Sequence, residues 1–172
     1  MEWWQILLLI FSILITVFLF SVFLDIAMVI TFSQKLERRV KALSIILTEK
    51  KQLICLCYKD LESYSGKLSE IDESLYKKTL ALNTESLEAE QINETEKTLR
   101  DAWARLDFAF EKQGRDPKQQ EIVENYRDLN ANYRQCTASY NYDVTGYNYW
   151  IKVPLASFLP WVLGYRRKEK LN

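Results

Sequence analysis

Residues 3–32 form an almost unbroken apolar run, and a cluster of basic residues follows at once. Residues 6–24 read ILLLIFSILITVFLFSVFL, without a charge. As a helix rising about 1.5 Å per residue, such a stretch just crosses a hydrocarbon core of roughly 30 Å. The chain is therefore read as a membrane protein with an N-terminal anchor and nearly all its remaining mass on one side. A cleaved signal peptide would need a basic n-region, a shorter apolar core and a small-residue cleavage site, and these are missing.

Orientation follows from charge. The first five residues carry no Lys or Arg, whereas Lys35, Arg38, Arg39, Lys41, Lys50 and Lys51 follow the span. The positive-inside rule places the N-terminus outside and the bulk of the chain in the cytoplasm, with Trp3 and Trp4 in the outer headgroup belt. Asp25 either marks the inner edge of the span or is buried by a span that slides toward Ile30, where an acid would flag function. Four segments result: a short extracytoplasmic tail 1–5, a transmembrane helix 6–31 with its core at 6–24, a cytoplasmic helical bundle 35–152, and an apolar then basic segment 153–172.

Beyond the anchor about 140 residues remain, enough for one domain with a core. Lys plus Arg and Asp plus Glu are equal at 23 each, so no bulk charge draws the chain to nucleic acid. With four Gly and three Pro, a turn-rich β fold is disfavoured. Histidine is absent, which removes the commonest general base and metal ligand. Cys55, Cys57 and Cys136 read as reduced thiols that pack, since Cys55-Leu56-Cys57 has neither zinc-knuckle nor CxxC spacing.

From Leu36 the apolar positions step by four and three. Val40, Leu47, Ile54, Leu61, Leu68, Leu75 and Leu82 recur every seven residues, partnered by Leu36, Leu43, Lys50, Cys57, Tyr64, Ile71 and Lys78. This seam predicts a long helix in a bundle or coiled coil, with Gly66 permitting a bend. Lys50 and Lys78 interrupt it, so packing there is expected to be loose or solvent-edged. Ser86 is expected to cap a second helix running to about Lys112, with Leu87, Ile92, Leu99, Ala102, Trp103, Leu106 and Phe110 on its apolar face. Gly114, Asp116 and Pro117 read as a stop, an N-cap and a first helical residue. A third helix is predicted over 117–151. Its stripe holds Ile122, Leu129, Cys136, Val144 and Ile151, and a ladder of Tyr126, Tyr133, Tyr140 and Tyr147 seven apart. These rings are read as core rather than as a base-stacking platform, because few basic residues interleave with them. The expected fold is all-α: one N-terminal transmembrane helix, then an up-and-down bundle of three long helices and a short C-terminal segment.

The C-terminal stretch VPLASFLPWVLGY precedes Arg166, Arg167, Lys168 and Lys170. It is too short to span. It either closes the end of the bundle or lies in the inner interface, where Trp161 would sit beside Arg166, Arg167 and Lys168.

Tyr140-Asn141, Val144, Tyr147-Asn148, Ile151, Pro154 and Gly164-Tyr165 together resemble the C-terminal signature of the LemA family, which pairs two YN dipeptides seven apart before a Phe-Pro and a Gly-Phe. Leu36-Glu37-Arg38-Arg39 is similar to that family's L-K-R-R segment. The chain departs where Ser44 stands in place of a proline, and where Val153-Pro154 lies one residue nearer the second YN. The resemblance implies a four-helix, up-and-down bundle on a single-pass anchor in the bacterial cytoplasmic (inner) membrane, with no established catalytic residues. Asn141 and Asn148 offer amides to a neighbouring helix or to the backbone around Pro154, which would make the signature a structural clasp on the tail.

The leading functional expectation is a membrane-anchored interaction or scaffold protein that packs helices with itself or with another membrane protein. Catalysis is not expected. Acids such as Glu70, Asp72, Glu73, Glu88, Glu90 and Glu94 are plentiful, but bundle di-metal sites pair Glu with Glu-x-x-His. No cofactor, metal, nucleic acid or small-molecule substrate is expected; the lipid bilayer is. The alternative is a membrane-shaping or lipid-binding protein using the anchor, the basic collar at 35–41 and the C-terminal segment.

Overall fold

The computed structural model describes residues 2–65, 68–85, 87–114, 116–152 and 163–171. Among them every regular element is a helix: α1 Trp3–Ser65, α2 Glu70–Ala81, α3 Ala89–Gln113 and α4 Pro117–Lys152. The chain divides into two compact units. An anchor unit takes Met1–Glu37 and Asn141–Lys170, and a core unit takes Arg38–Tyr140 and Leu171–Asn172.

In the core unit the seam of α1 is buried as its spacing requires. Leu43, Leu47, Ile54 and Cys57 have no exposed surface, and Leu61 has little. The seam does not continue to Leu82 in one helix, as its period suggested. α1 ends at Ser65, and Ser69 caps a separate α2 by accepting the Asp72 backbone N–H at 3.2 Å. Glu70, Asp72 and Glu73 in the first turn suit the positive end of that helix. Past the break the pattern loses its meaning: Ile71 is 59% exposed and Lys78 is exposed. Tyr64 lies in the last turn of α1, and Gly66 and Ser86 lie outside the described residues.

α3 begins at Ala89, where the Glu88 N–H donates to Gln91 Oε1 at 3.1 Å. α4 begins where Asp116 and Pro117 read as cap and first residue. Asp116 Oδ1 accepts the Gln119 N–H at 2.7 Å, and Gln119 Oε1 accepts the Asp116 N–H at 3.2 Å. That reciprocal pair is a capping box. Gly114, at φ 75°, supplies the left-handed residue that ends α3.

Named contacts fix the directions of these helices. Cys136 Sγ lies 3.9 Å from the Arg39 carbonyl, and Lys118 pairs with Asp60 at 2.8 Å, so α4 runs back along α1. Tyr58 hydroxyl donates to the Ala102 carbonyl at 3.3 Å, tying α3 to α1. Arg105 meets Asp72 at 3.4 Å, and Tyr76 lies against Tyr58 with ring centroids 5.4 Å apart, placing α2 against both.

The connection from α2 to α3 is held by a polar stripe on α1. Ser44 Oγ donates to the Thr84 carbonyl at 2.7 Å, and Thr48 Oγ1 meets the Thr84 hydroxyl at 2.9 Å. One turn on, Lys51 Nζ donates to the Leu82 carbonyl at 2.7 Å. Ser44, Thr48 and Lys51 fall at i, i+4 and i+7, so one face of one helix satisfies loop carbonyls that burial would otherwise leave without partners.

The anchor unit combines two kinds of helix surface. Residues 3–20 of α1 are all exposed, and α1 is long and apolar enough to cross a membrane. Further along, one face is covered: Asp25 is 8% exposed, Val29 1% and Leu36 4%. The Asp25 carboxyl thus lies on the protein-covered face. α4 contributes Val144 and Tyr147, both buried. Gly146 is set against the Phe32 ring, and a Cβ there would fall 2.7 Å from Phe32 Cε1 and Cζ. Gly146→Ala is therefore expected to cost about 1–3 kcal/mol by overpacking. Thermal unfolding of the full-length protein in detergent, followed by circular dichroism, checks it.

Candidate functional site

The most polar place in the core unit is where the sequence suggested a loose edge. Lys50 is not solvent-edged. Its side chain has 0% exposure, and its ammonium is held on three sides. Nζ donates to Glu96 Oε1 at 3.0 Å, to Glu96 Oε2 at 2.9 Å and to Asn130 Oδ1 at 3.1 Å. A lysine ammonium has three N–H groups, and all three have acceptors. The rings of Tyr126 and Tyr133 add cation–π contact, with centroids 5.3 and 4.7 Å from Nζ. Trp103 of α3 stacks on Tyr126, centroids 3.8 Å apart and planes within 6°. Helices α1, α3 and α4 thus converge on one charge.

The three polar residues sit in the gaps of three apolar stripes. Lys50 lies between Leu47 and Ile54, Glu96 between Ile92 and Leu99, and Asn130 between Tyr126 and Tyr133. Burial pushes the Lys50 amine below its ordinary 10.5, and the Glu96 carboxylate opposes that shift. The same burial, reinforced by the negative charge of Glu96, pushes the Tyr133 phenol up to about 12 and raises Tyr126 as well. The Tyr133 and Thr137 hydroxyls, one turn apart on α4, are buried without a hydrogen-bond partner of good geometry. Cys57 is completely buried, and its thiol is pushed up to about 12. Such a thiol packs rather than reacts.

A second constellation lies in the anchor unit. Asn148 Nδ2 donates to the Lys168 carbonyl at 2.8 Å, and Asn148 Oδ1 accepts the Lys168 N–H at 3.0 Å. One amide therefore grips the backbone of the tail from both sides. Leu163 and Gly164 form a turn, with Gly164 at φ 80°, a conformation that favours glycine. Tyr165 is half-buried, whereas Arg166, Arg167 and Lys168 are exposed. The amide reading of Asn148 offered a neighbouring helix or the backbone around Pro154; the observed bonds are to the Lys168 backbone. Pro154 and Trp161 lie outside the described residues.

The remaining motif residues spread over both units. Leu36, Tyr140, Val144 and Tyr147 are buried, Asn141 and Ile151 half-buried, and Arg38 and Arg39 exposed. Trp3 is 75% and Trp4 48% exposed. Glu96 and Asn130 were missed by sequence reasoning. A partial signal existed: each falls at a step of its helix where the heptad spacing calls for an apolar residue. Comparison with family models, curated proteins and solved structures finds no match to this chain.

Two predictions follow from the buried lysine. Lys50→Ala leaves Glu96 largely buried without its partner and is expected to cost about 3–5 kcal/mol, whereas joint replacement by Lys50→Met and Glu96→Leu is expected to recover most of that loss. Thermal melts of the two variants against the parent decide it. The pH dependence has two opposed parts. Between the lowered Lys50 value and 10.5 the unfolded chain holds more protons at this lysine, so its contribution makes folding more favourable as pH rises; Lys50→Met removes that slope. Between pH 10 and about 12 the unfolded chain loses the Tyr133 proton while the folded chain keeps it, so stability falls. Tyr133→Phe deletes a buried hydroxyl that makes no hydrogen bond of good geometry. It is expected to leave stability equal or up to about 1 kcal/mol higher and to shallow the alkaline loss, read by denaturant titration across pH.

Proposed function

We propose that this chain is a membrane-anchored helical interaction protein of the LemA type. Its N-terminus lies outside the bacterial inner membrane, and an up-and-down bundle stands in the cytoplasm. It acts by packing against itself or another membrane protein, not by catalysis. The observation that carries this reading is the state of the buried charge. Every donor of Lys50 is engaged within the protein, so the polar centre of the bundle serves its own packing. The antiparallel run of α4 along α1, with α2 and α3 between them in sequence, supports the up-and-down layout. The bare apolar stretch of α1 supports the anchor.

A docking surface of the core unit would use its outward apolar side chains. Ile45 and Leu56 are 52% and 60% exposed and stand eleven residues apart, on one face of α1. In-cell cross-linking of the full-length protein, with mass identification of the products, tests the reading. A ladder of the chain with itself, or one distinct membrane protein, is the expected result. Ile45→Glu with Leu56→Glu is expected to abolish that product while leaving the thermal melt within about 0.5 kcal/mol of the parent. No product at all would sink the interaction reading.

A further inference from the structure

We propose that the segment 163–170, held by Asn148, is a contact site for anionic phospholipid headgroups of the bilayer that α1 crosses. The inference rests on the membrane-anchored reading but goes beyond it, because it assigns a ligand to particular residues. Three independent features of the anchor unit point the same way.

The first is charge. Arg166, Arg167, Lys168 and Lys170 are all exposed, as is Lys152 in the last turn of α4. The exposed acids on this part of the unit are Glu37 and Glu169, while Asp143 is buried. The excess is positive, and it belongs to the same compact unit as the bare apolar helix. The anionic headgroups of a cytoplasmic leaflet are the complementary surface beside a membrane-spanning unit.

The second is positioning. A free basic tail would spread its charge through solution. Here the two Asn148 hydrogen bonds fix the Lys168 backbone against α4, in the middle of the basic run. The Gly164 turn, at φ 80°, sets the direction in which the chain enters that grip. Cations held in register with a membrane helix lose little further freedom on meeting headgroups.

The third is aromatic. Tyr142 and Tyr149 are 77% and 65% exposed and seven apart, so they share one outer face of α4. This pair is distinct from the buried ladder. An exposed phenol with an apolar ring and a polar tip suits the headgroup zone, where tyrosine gathers.

The test uses the full-length protein in nanodiscs of phosphatidylcholine alone and of an equal mixture of phosphatidylcholine and phosphatidylglycerol, with backbone hydrogen exchange of residues 163–170 as readout. The wild-type segment is expected to exchange several-fold more slowly in the mixed discs, with the difference removed by high salt. Each neutralised cation is expected to weaken the contact about fivefold. Arg166→Gln with Arg167→Gln and Lys170→Gln should therefore exchange equally in both lipids. Asn148→Ala should speed exchange in both and shrink the difference between them. Equal exchange of the wild-type segment in the two lipids overturns the proposal, as does a slowing that the triple variant retains or that inorganic phosphate reproduces in phosphatidylcholine discs. A chain that does not enter the discs overturns the membrane-anchored reading instead, which keeps the two failures apart.

Discussion

Taking an ammonium out of water costs several kcal/mol unless charge and acceptors meet it on every side, and the core unit is arranged to meet that requirement at Lys50. The two Glu96 oxygens come from α3, the Asn130 oxygen and the Tyr126 and Tyr133 rings from α4. A slide of any one helix by a turn would strip the amine of part of this shell. Leucine contacts tolerate such slides, because one branched aliphatic residue resembles another. The polar centre therefore fixes which register the apolar seams adopt, the use of buried polar groups that is best attested elsewhere. The same logic operates at smaller scale along Ser44, Thr48 and Lys51, which accept only one placement of the α2–α3 connection.

The anchor unit solves a different problem. Its apolar helix has a bare portion and a covered portion, and the covered face is assembled from α4 and residues distant in sequence. Gly146 lets the α4 backbone reach the Phe32 ring, and Asn148, two residues on, takes the tail backbone. Within a single turn of helix, one residue is used for having no side chain and the next but one for having a side chain that both donates and accepts.

Much of this was legible in the sequence. The apolar run, the stripes of α3 and α4, the tyrosine ladder and the Asp116-Pro117 start all follow from local rules, because period and capping depend on near neighbours. What failed required knowledge of distant ones. The leucine period passes unbroken in sequence across the end of α1, yet in α2 it is Thr79, off that period, that is buried; the Ser69 cap and its acids signal the restart. Lys50 read as a flaw because its partners lie 46 and 80 residues away, and no single stripe reveals that three gaps face each other. Asn148 stands between these cases. Its chemistry offered a grip on a neighbouring helix or on the backbone after α4, but which peptide it holds depends on a path of 20 residues.

The seclusion of Lys50 also makes it a chemical gauge. The protein has many surface lysines, Lys35, Lys59, Lys97 and Lys170 among them, that any amine-directed reagent reaches at once. Lys50 meets such a reagent only after α1, α3 and α4 have parted, and its acylation then removes the charge that drew them together. The degree of labelling at this one amine, normalised to its surface neighbours, records how often these three helices part in the intact protein, without an attached probe.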